Sequence, residues 1–277
     1  MTNSTAKLLA VSDLHVGYAD NRQVLDLLRP TTDADWLIVA GDVGERADSV
    51  IETLGRLRER FATVIWSPGN HELWTHPSDP LTLRGEQRYQ HLVRACREVG
   101  VHTPEDEYPT WTGPRGPVVI APLFLLYDYT FLPPGVTTRE EALELAYRTG
   151  IVCTDEQLLF PDPYSDRADW CAARLAYSRD RLDAIDQQLP TVLVNHWPLT
   201  RLPTEVLRYP QFAQWCGTVH SADWHVKYRS VAVVYGHLHI PRSTAEDGVP
   251  FEEVSLGYPR EWRPRTKRLP WPRQILP

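Results

Sequence analysis

The chain of 277 residues offers no disulfide framework, membrane span or nucleic-acid handle. Its four cysteines, Cys96, Cys153, Cys171 and Cys216, stand far apart with no C-x-x-C pair. Such spacing suits reduced thiols better than disulfides and points to a cytoplasmic protein. No apolar run approaches the ~20 residues that cross a bilayer, so no membrane partner is expected. The opening MTNSTAKLLAVSD has one lysine and a short apolar stretch that is needed as a first strand, so no secretory leader is expected. A net charge of −7, with no groove-reading module, argues against nucleic acid as a partner. Repeats, heptads, low-complexity tracts and convincing linkers are also missing. One domain over 1–277 is the expectation, and 42% apolar with 23% charged residues is ordinary for a globular protein.

What is plentiful is proline, with 24, and tryptophan, with ten. Prolines cluster in 104–134, 161–163, 190–210 and 259–277, which read as loops or extended segments. Trp66, Trp74, Trp197, Trp215 and Trp224 stand near polar motifs and read first as packing beneath loops. Trp74 and Trp197 are also candidates for an aromatic wall around an organic leaving group, since each lies within three residues of a candidate site histidine.

Five polar motifs carry the chemistry: Asp13-Leu14-His15, Gly41-Asp42, Gly69-Asn70-His71-Glu72, Asn195-His196 and Gly236-His237-Leu238-His239. Each follows a short apolar run that reads as a buried strand: KLLAVS, DWLIVA, ATVIWS, TVLVN and VAVVY. Side chains at strand ends of an open α/β sheet converge in space however far apart they lie in sequence. Any one motif alone would be weak; their order and placement give the signal. The candidate ligands Asp13, His15, Asp42, Asn70, His196, His237 and His239 form an oxygen and imidazole set without thiolate, unlike a structural zinc site. Seven ligands exceed what one ion needs, so two ions with a shared bridge are expected. Such a pair brings the pKa of a bound water towards neutrality and clamps the attacking and leaving oxygens of a phosphoester.

The motif order resembles the calcineurin-like metallophosphoesterase superfamily, whose pattern is D-x-H, G-D, G-N-H-[DE], a lone His and G-H-x-H. The resemblance implies a four-layer α/β/β/α sandwich with the metals at one edge. It implies Asp13, His15, Asp42 and His239 around one ion, and Asn70, His196, His237 and the shared Asp42 around the other. Manganese and iron are the metals it implies first, with zinc possible. His71 stands beside Asn70 without being a family ligand and is expected to act as general acid or transition-state stabiliser. The family often has a further acid three residues after G-D, and Glu45 occupies that place.

Residues 7–67 alternate strand and helix, with helices at 21–29 and 49–60, which predicts parallel pairing. Helical pattern returns at 85–98, 137–148 and 165–188, strands at 118–127, and FEEVSL at 251–256 reads as a closing strand. Segments 75–90 and 127–164 are surplus to that core and are expected to cap the site. The tail 258–277 carries Arg260, Arg263, Arg265, Lys267, Arg268 and Arg273 against Glu261. It reads as a solvated extended segment, or as a docking strip for an acidic partner in which Arg260 would meet substrate.

VNHWPLT, YPQFAQWCGT, VVYGHLHIPR, DGVPFEEVSLGYPREW and RQILP narrow the resemblance to an actinobacterial phosphopantetheinyl hydrolase group. That group removes 4′-phosphopantetheine from carrier proteins by cutting the serine phosphodiester. Carrier proteins are acidic helical bundles, to which the arginines of the tail are complementary. Two alternatives share the metal chemistry at this stage: a small-molecule phosphatase or cyclic-nucleotide phosphodiesterase, and a metal-binding regulatory protein without activity.

Overall fold

The computed structural model describes residues 6–265 and 271–277. The strands are β1 (Leu8–Val11), β2 (Trp36–Val39), β3 (Thr63–Trp66), β4 (Thr110–Gly113), β5 (Gly116–Pro122), β6 (Thr191–Val194), β7 (Ser230–Tyr235), β8 (Arg242–Glu246), β9 (Val249–Glu253) and β10 (Arg273–Leu276). The helices are α1 (Ala19–Asp26), α2 (Ala47–Arg58), α3 (Asn70–Leu73), α4 (Gly85–Glu98), α5 (Arg139–Arg148), α6 (Asp155–Leu158), α7 (Arg167–Asp183), α8 (Trp224–Lys227) and α9 (Pro259–Trp262). Among the described residues no helix is long and apolar enough to cross a membrane.

Two sheets form, in the orders β10-β1-β2-β3 and β4-β5-β6-β7-β9-β8. Alternation along each strand explains the layering. Leu8, Ala10, Ile38, Ile65, Ile120, Val192, Val194, Ala232 and Val234 pack together between the sheets. Their neighbours Leu9, Val11, Leu37, Val39, Val64, Trp66, Leu193 and Val233 face the outer helices. Strands buried on both faces read as continuous apolar runs, as these do. Within the first sheet β1, β2 and β3 are parallel, and within the second β5, β6, β7 and β9 are parallel. All five polar motifs therefore leave the same kind of strand end. A bridge between Ser12 and Ser255 joins the two sheets there.

The tail departs from its expected solvated form. β10 pairs antiparallel with β1 and closes the edge of the first sheet. Arg265 donates to the His239 carbonyl at 2.6 Å, Arg273 to Glu252 at 3.0 Å, and Arg263 pairs with Asp20. Lys267 and Arg268 lie outside the described residues, as do the first five of the chain. Backbone pairing and these contacts together place the described part of this segment. Other differences are smaller. Of the expected 118–127 strand region only 118–122 is extended, as part of Gly116–Pro122; Leu123–Tyr127 continue as a buried loop. The closing strand is β9, and β8 reaches it through a tight turn at Asp247 and Gly248, both at positive φ.

Candidate metal centre

Five of the candidate ligands, Asp13, His15, Asp42, His237 and His239, hold φ between 41° and 69°. Side-chain-bearing residues enter this region at a cost of roughly 1–2 kcal/mol each, and such strain gathers where function fixes the backbone. Here it lets two residues of one short loop turn their side chains into the same space. Glycines provide the remaining room. A Cβ on Gly41 would stand 2.6 Å from the Gly69 nitrogen, and one on Gly236 would collide with the Ser12 hydroxyl.

The side chains form two groups. In the first, His239 Nε2 lies 2.9 Å from Asp13 Oδ1 and 3.1 Å from His15 Nε2. His15 Nε2 is 4.0 Å from Asp42 Oδ2. In the second, Asn70 Oδ1 is 3.2 Å from His196 Nε2 and 3.2 Å from His237 Nδ1, and His196 Nε2 is 3.4 Å from Asp42 Oδ2. Metal bonds of about 2.0–2.2 Å place neighbouring donors ~3–3.5 Å apart, so these separations suit coordination shells. The residues therefore fit a pair of ions. Asp42 lies between the groups: its Oδ1 accepts the His71 backbone N–H at 2.9 Å, and Oδ2 faces both groups. The tight turn into α3 brings that N–H close and fixes the orientation of the carboxylate.

Neighbouring groups set the tautomers. His196 Nδ1 donates to the Ala40 carbonyl at 2.8 Å, leaving Nε2 towards Asp42. His239 Nδ1 meets Glu261 Oε2 at 2.7 Å, which turns Nε2 onto Asp13. Glu72 accepts three backbone N–H groups, from Asp42, Val43 and Gly69, at 2.9–3.0 Å. It thereby ties the loops after β2 and β3 together. Burial and the nearby Asp42 charge push its carboxyl up to about 7.

Charge within the centre is balanced locally. Burial raises the Asp13 carboxyl, but His239 outweighs this and the group falls to about 2. Burial pulls His196 down while Asp42 draws it up further, to about 9; His239 reaches about 10 beside Asp13. His237, under burial and the His196 charge, falls to about 3. Two carboxylates that draw protons onto two imidazoles attract metal cations by the same pull.

His71 sits beside these groups. Its Nδ1 is 3.0 Å from Glu45 Oε1, and its Nε2 is 3.8 Å from Asp42 Oδ2 and 3.4 Å from the Tyr258 hydroxyl. Burial lowers its proton affinity, but Asp42 and Glu45 raise it more, so it lies above its usual value. The Trp74 ring tilts against it with centroids 3.7 Å apart.

Beside this cluster opens a cavity of about 630 Å³. Its walls include Ile151, Val152, Leu207, Tyr209, Phe212 and Ile240, with Arg208 and Arg260 also lining it. Trp74 and Arg260 thus line the cavity. Trp197 does not: it is fully buried behind His196, ring centroids 5.1 Å apart, and packs the ligands from below. Of the two segments read as a cap, 127–164 reaches the cavity through Gly150–Asp155, whereas 75–90 supplies no lining residue. The second wall comes instead from 207–212, where the proline-rich stretch 190–210, read as loop, runs into the YPQFAQWCGT motif of the narrower resemblance. Glu261, Tyr258 and Asp155 belong to the surroundings that sequence reasoning passed over. Glu261 was countable as the one acid within an otherwise basic tail, but nothing in the sequence pairs it with His239.

Comparison with known proteins narrows the chemistry. Residues 6–241 match the calcineurin-like phosphoesterase family. An [acyl-carrier-protein] phosphodiesterase, PptH, of Mycobacterium tuberculosis is 55% identical over 270 residues, covering 98% of this chain and 83% of the relative. A crystal structure of phosphopantetheinyl hydrolase (PptH) from M. tuberculosis matches with a TM-score of 0.97 and 53% identity, covering 100% of this chain and 98% of that one.

Proposed function

The chain belongs to the calcineurin-like phosphoesterases, and from that membership we propose that it removes 4′-phosphopantetheine from acyl or peptidyl carrier proteins by hydrolysing the serine phosphodiester. The observation that carries this reading is the 55% identity to a carrier-protein phosphodiesterase over nearly the whole chain, together with a two-group cluster of candidate ligands beside a cavity of about 630 Å³. The same likeness sets aside the small-molecule, cyclic-nucleotide and regulatory alternatives.

Asp13, His15, Asp42 and His239 would hold one ion, and Asn70, His196 and His237, with Asp42 shared, would hold the other. When bound, such a pair activates water and neutralises charge on the phosphoryl group. Imidazole, carboxylate and amide donors suit manganese and iron, with zinc the third choice. His71 stands as the general acid. Glu45 holds Nδ1, leaving Nε2 facing the reaction space beside Asp42, and these two carboxylates raise the proton affinity of the ring above its usual value against the pull of burial. As the P–O bond to serine breaks, that proton passes to the departing oxygen, and the carrier leaves in its apo form. Tyr258 stacks on His15 at 4.5 Å and places its hydroxyl beside His71, closing one side of the acid's position.

The cavity walls suit the phosphopantetheine arm and its carrier. An apolar side of Ile151, Val152, Leu207 and Phe212 fits the methylene and dimethyl parts of a pantetheine chain. Arg208 and Arg260 face an acidic carrier, with exposed Tyr209 and Val152 beside them. The four cysteines are all unpaired and buried, which suits the cytoplasm, where we place the protein.

The test is the identity of the products. Metal-loaded protein incubated with a holo carrier is expected to release free 4′-phosphopantetheine. Release of pantetheine, with phosphoserine left on the carrier, would contradict the assigned leaving group.

A further inference from the structure

Asn70 must present its amide oxygen, not its nitrogen, to the second group of imidazoles. The two ends of an amide are nearly the same size, so hydrogen bonding has to select between them. The selecting group is Asp155. Its Oδ1 accepts Asn70 Nδ2 at 2.9 Å, on the side away from His196 and His237. The same oxygen accepts Trp74 Nε1 at 2.6 Å, and Trp74 is the ring that tilts against His71. Asp155 is wholly buried and its second oxygen has no partner. A carboxylate kept out of water with half its capacity unused costs stability, so these two contacts are what its position provides.

Asp155 belongs to none of the strand-end motifs. It opens α6 in the capping segment, whose backbone is itself pinned: Arg167 donates to the Asp155 carbonyl at 2.5 Å and to the Leu159 carbonyl at 2.9 Å. Thr75, just after α3, donates to the Leu158 carbonyl at 2.9 Å. The residues immediately before Asp155, Gly150–Thr154, line the cavity.

We infer that Asp155 is a positioning residue through which the cap completes the second metal position: one carboxylate oxygen orients the Asn70 amide towards His196 and His237 and seats Trp74 against His71. Without it, the Asn70 and Trp74 N–H groups lose their acceptor, and the amide can rotate end for end. An amide N–H is no metal ligand, so the loss falls on the second ion and spares the first.

The test is metal binding, which does not depend on which diester is cut and so stands or falls apart from the substrate reading. Protein stripped with chelator is titrated with Mn²⁺ by equilibrium dialysis, and the loaded samples are examined by electron paramagnetic resonance. Asp155→Ala is expected to bind the first equivalent normally and the second about 10–100-fold more weakly, with loss of the spin-coupled pair signal. Asp155→Asn keeps a carbonyl acceptor in place and is expected to bind both equivalents within about threefold of the parent. Two tightly bound equivalents in Asp155→Ala would overturn the proposal. So would equal impairment of Asp155→Asn, which would assign the effect to charge instead of orientation. Should Asp155→Ala fail to fold by circular dichroism, a folded Asp155→Asn decides alone: two equivalents support the proposal and one overturns it.

Discussion

The two halves of the metal centre are held by different parts of the chain. The first group, around Asp13, is braced by the C-terminal tail: Glu261 turns His239, and the Arg265 guanidinium caps the His239 carbonyl. The second group, around Asn70, is braced by the Ala40 carbonyl of the first sheet and by Asp155 of the cap. Ligands come from sheet ends in both cases, but the groups that orient them come from segments outside the motif pattern. Both braces reach the cavity wall: Asp155 follows the lining stretch Gly150–Thr154, and Glu261 lines the cavity with Tyr258 and Arg260 of the tail. Chemistry and substrate fit are therefore coupled on both sides of the centre, through the cap on one and through the tail on the other.

The largest way to break this comparison removes what both halves share. Asp42→Ala is expected to abolish binding of both ions and to lower turnover of any phosphodiester by on the order of 10³-fold or more, read by metal analysis and steady-state kinetics. His71→Ala should keep both ions while losing roughly 10²–10⁴-fold on the serine diester. The loss should be much smaller on an aryl diester, whose leaving group needs no proton. Equal losses on both substrates would refute the general-acid role. Glu261→Ala sharpens the comparison by weakening the first ion about 10–100-fold and sparing the second, the mirror image of Asp155→Ala.

A subtler effect is pH dependence in the metal-free protein. His196 and His239 are raised from 6.5 to about 9 and about 10 by Asp42 and Asp13 against the pull of burial. A raised imidazole contributes stability that is complete below its unfolded value and is lost as pH climbs through its folded value. Metal-free protein should therefore melt lower at pH 9.5 than at pH 6.5, as tested by calorimetry in chelator. Metal-loaded protein should resist that loss, because binding needs neutral imidazoles. The smallest effect belongs to Arg208→Ala, expected to raise KM for a carrier protein a few-fold, by about 0.5–1 kcal/mol, with the difference shrinking in high salt.

The order of five polar motifs, each after an apolar run, carried the family resemblance that implied the sandwich, and it brought out the candidate ligands because each motif sits on a short loop directly after a buried strand. The orienting residues were not readable for a physical reason. Asp155 and Glu261 act across 85 and 22 residues of sequence and follow no fixed spacing from their partners. Glu45, by contrast, sits three residues after Asp42 on the same loop and could be noticed. Trp197 shows the opposite failure: nearness to His196 in sequence suggested the cavity, but alternate side chains leaving a strand face opposite ways, and the indole went inward. The tail misled through its composition. Proline and arginine suggested a solvated strip, whereas the backbone pairing of Arg273–Leu276 with β1 determined its place.

The most direct test is the intact mass of a holo acyl carrier protein incubated with manganese-loaded protein, with Asp42→Ala as control. The account predicts loss of the phosphopantetheine mass with the parent protein and none with the variant. An unchanged holo carrier, in a reaction where an aryl phosphodiester is hydrolysed, would contradict it.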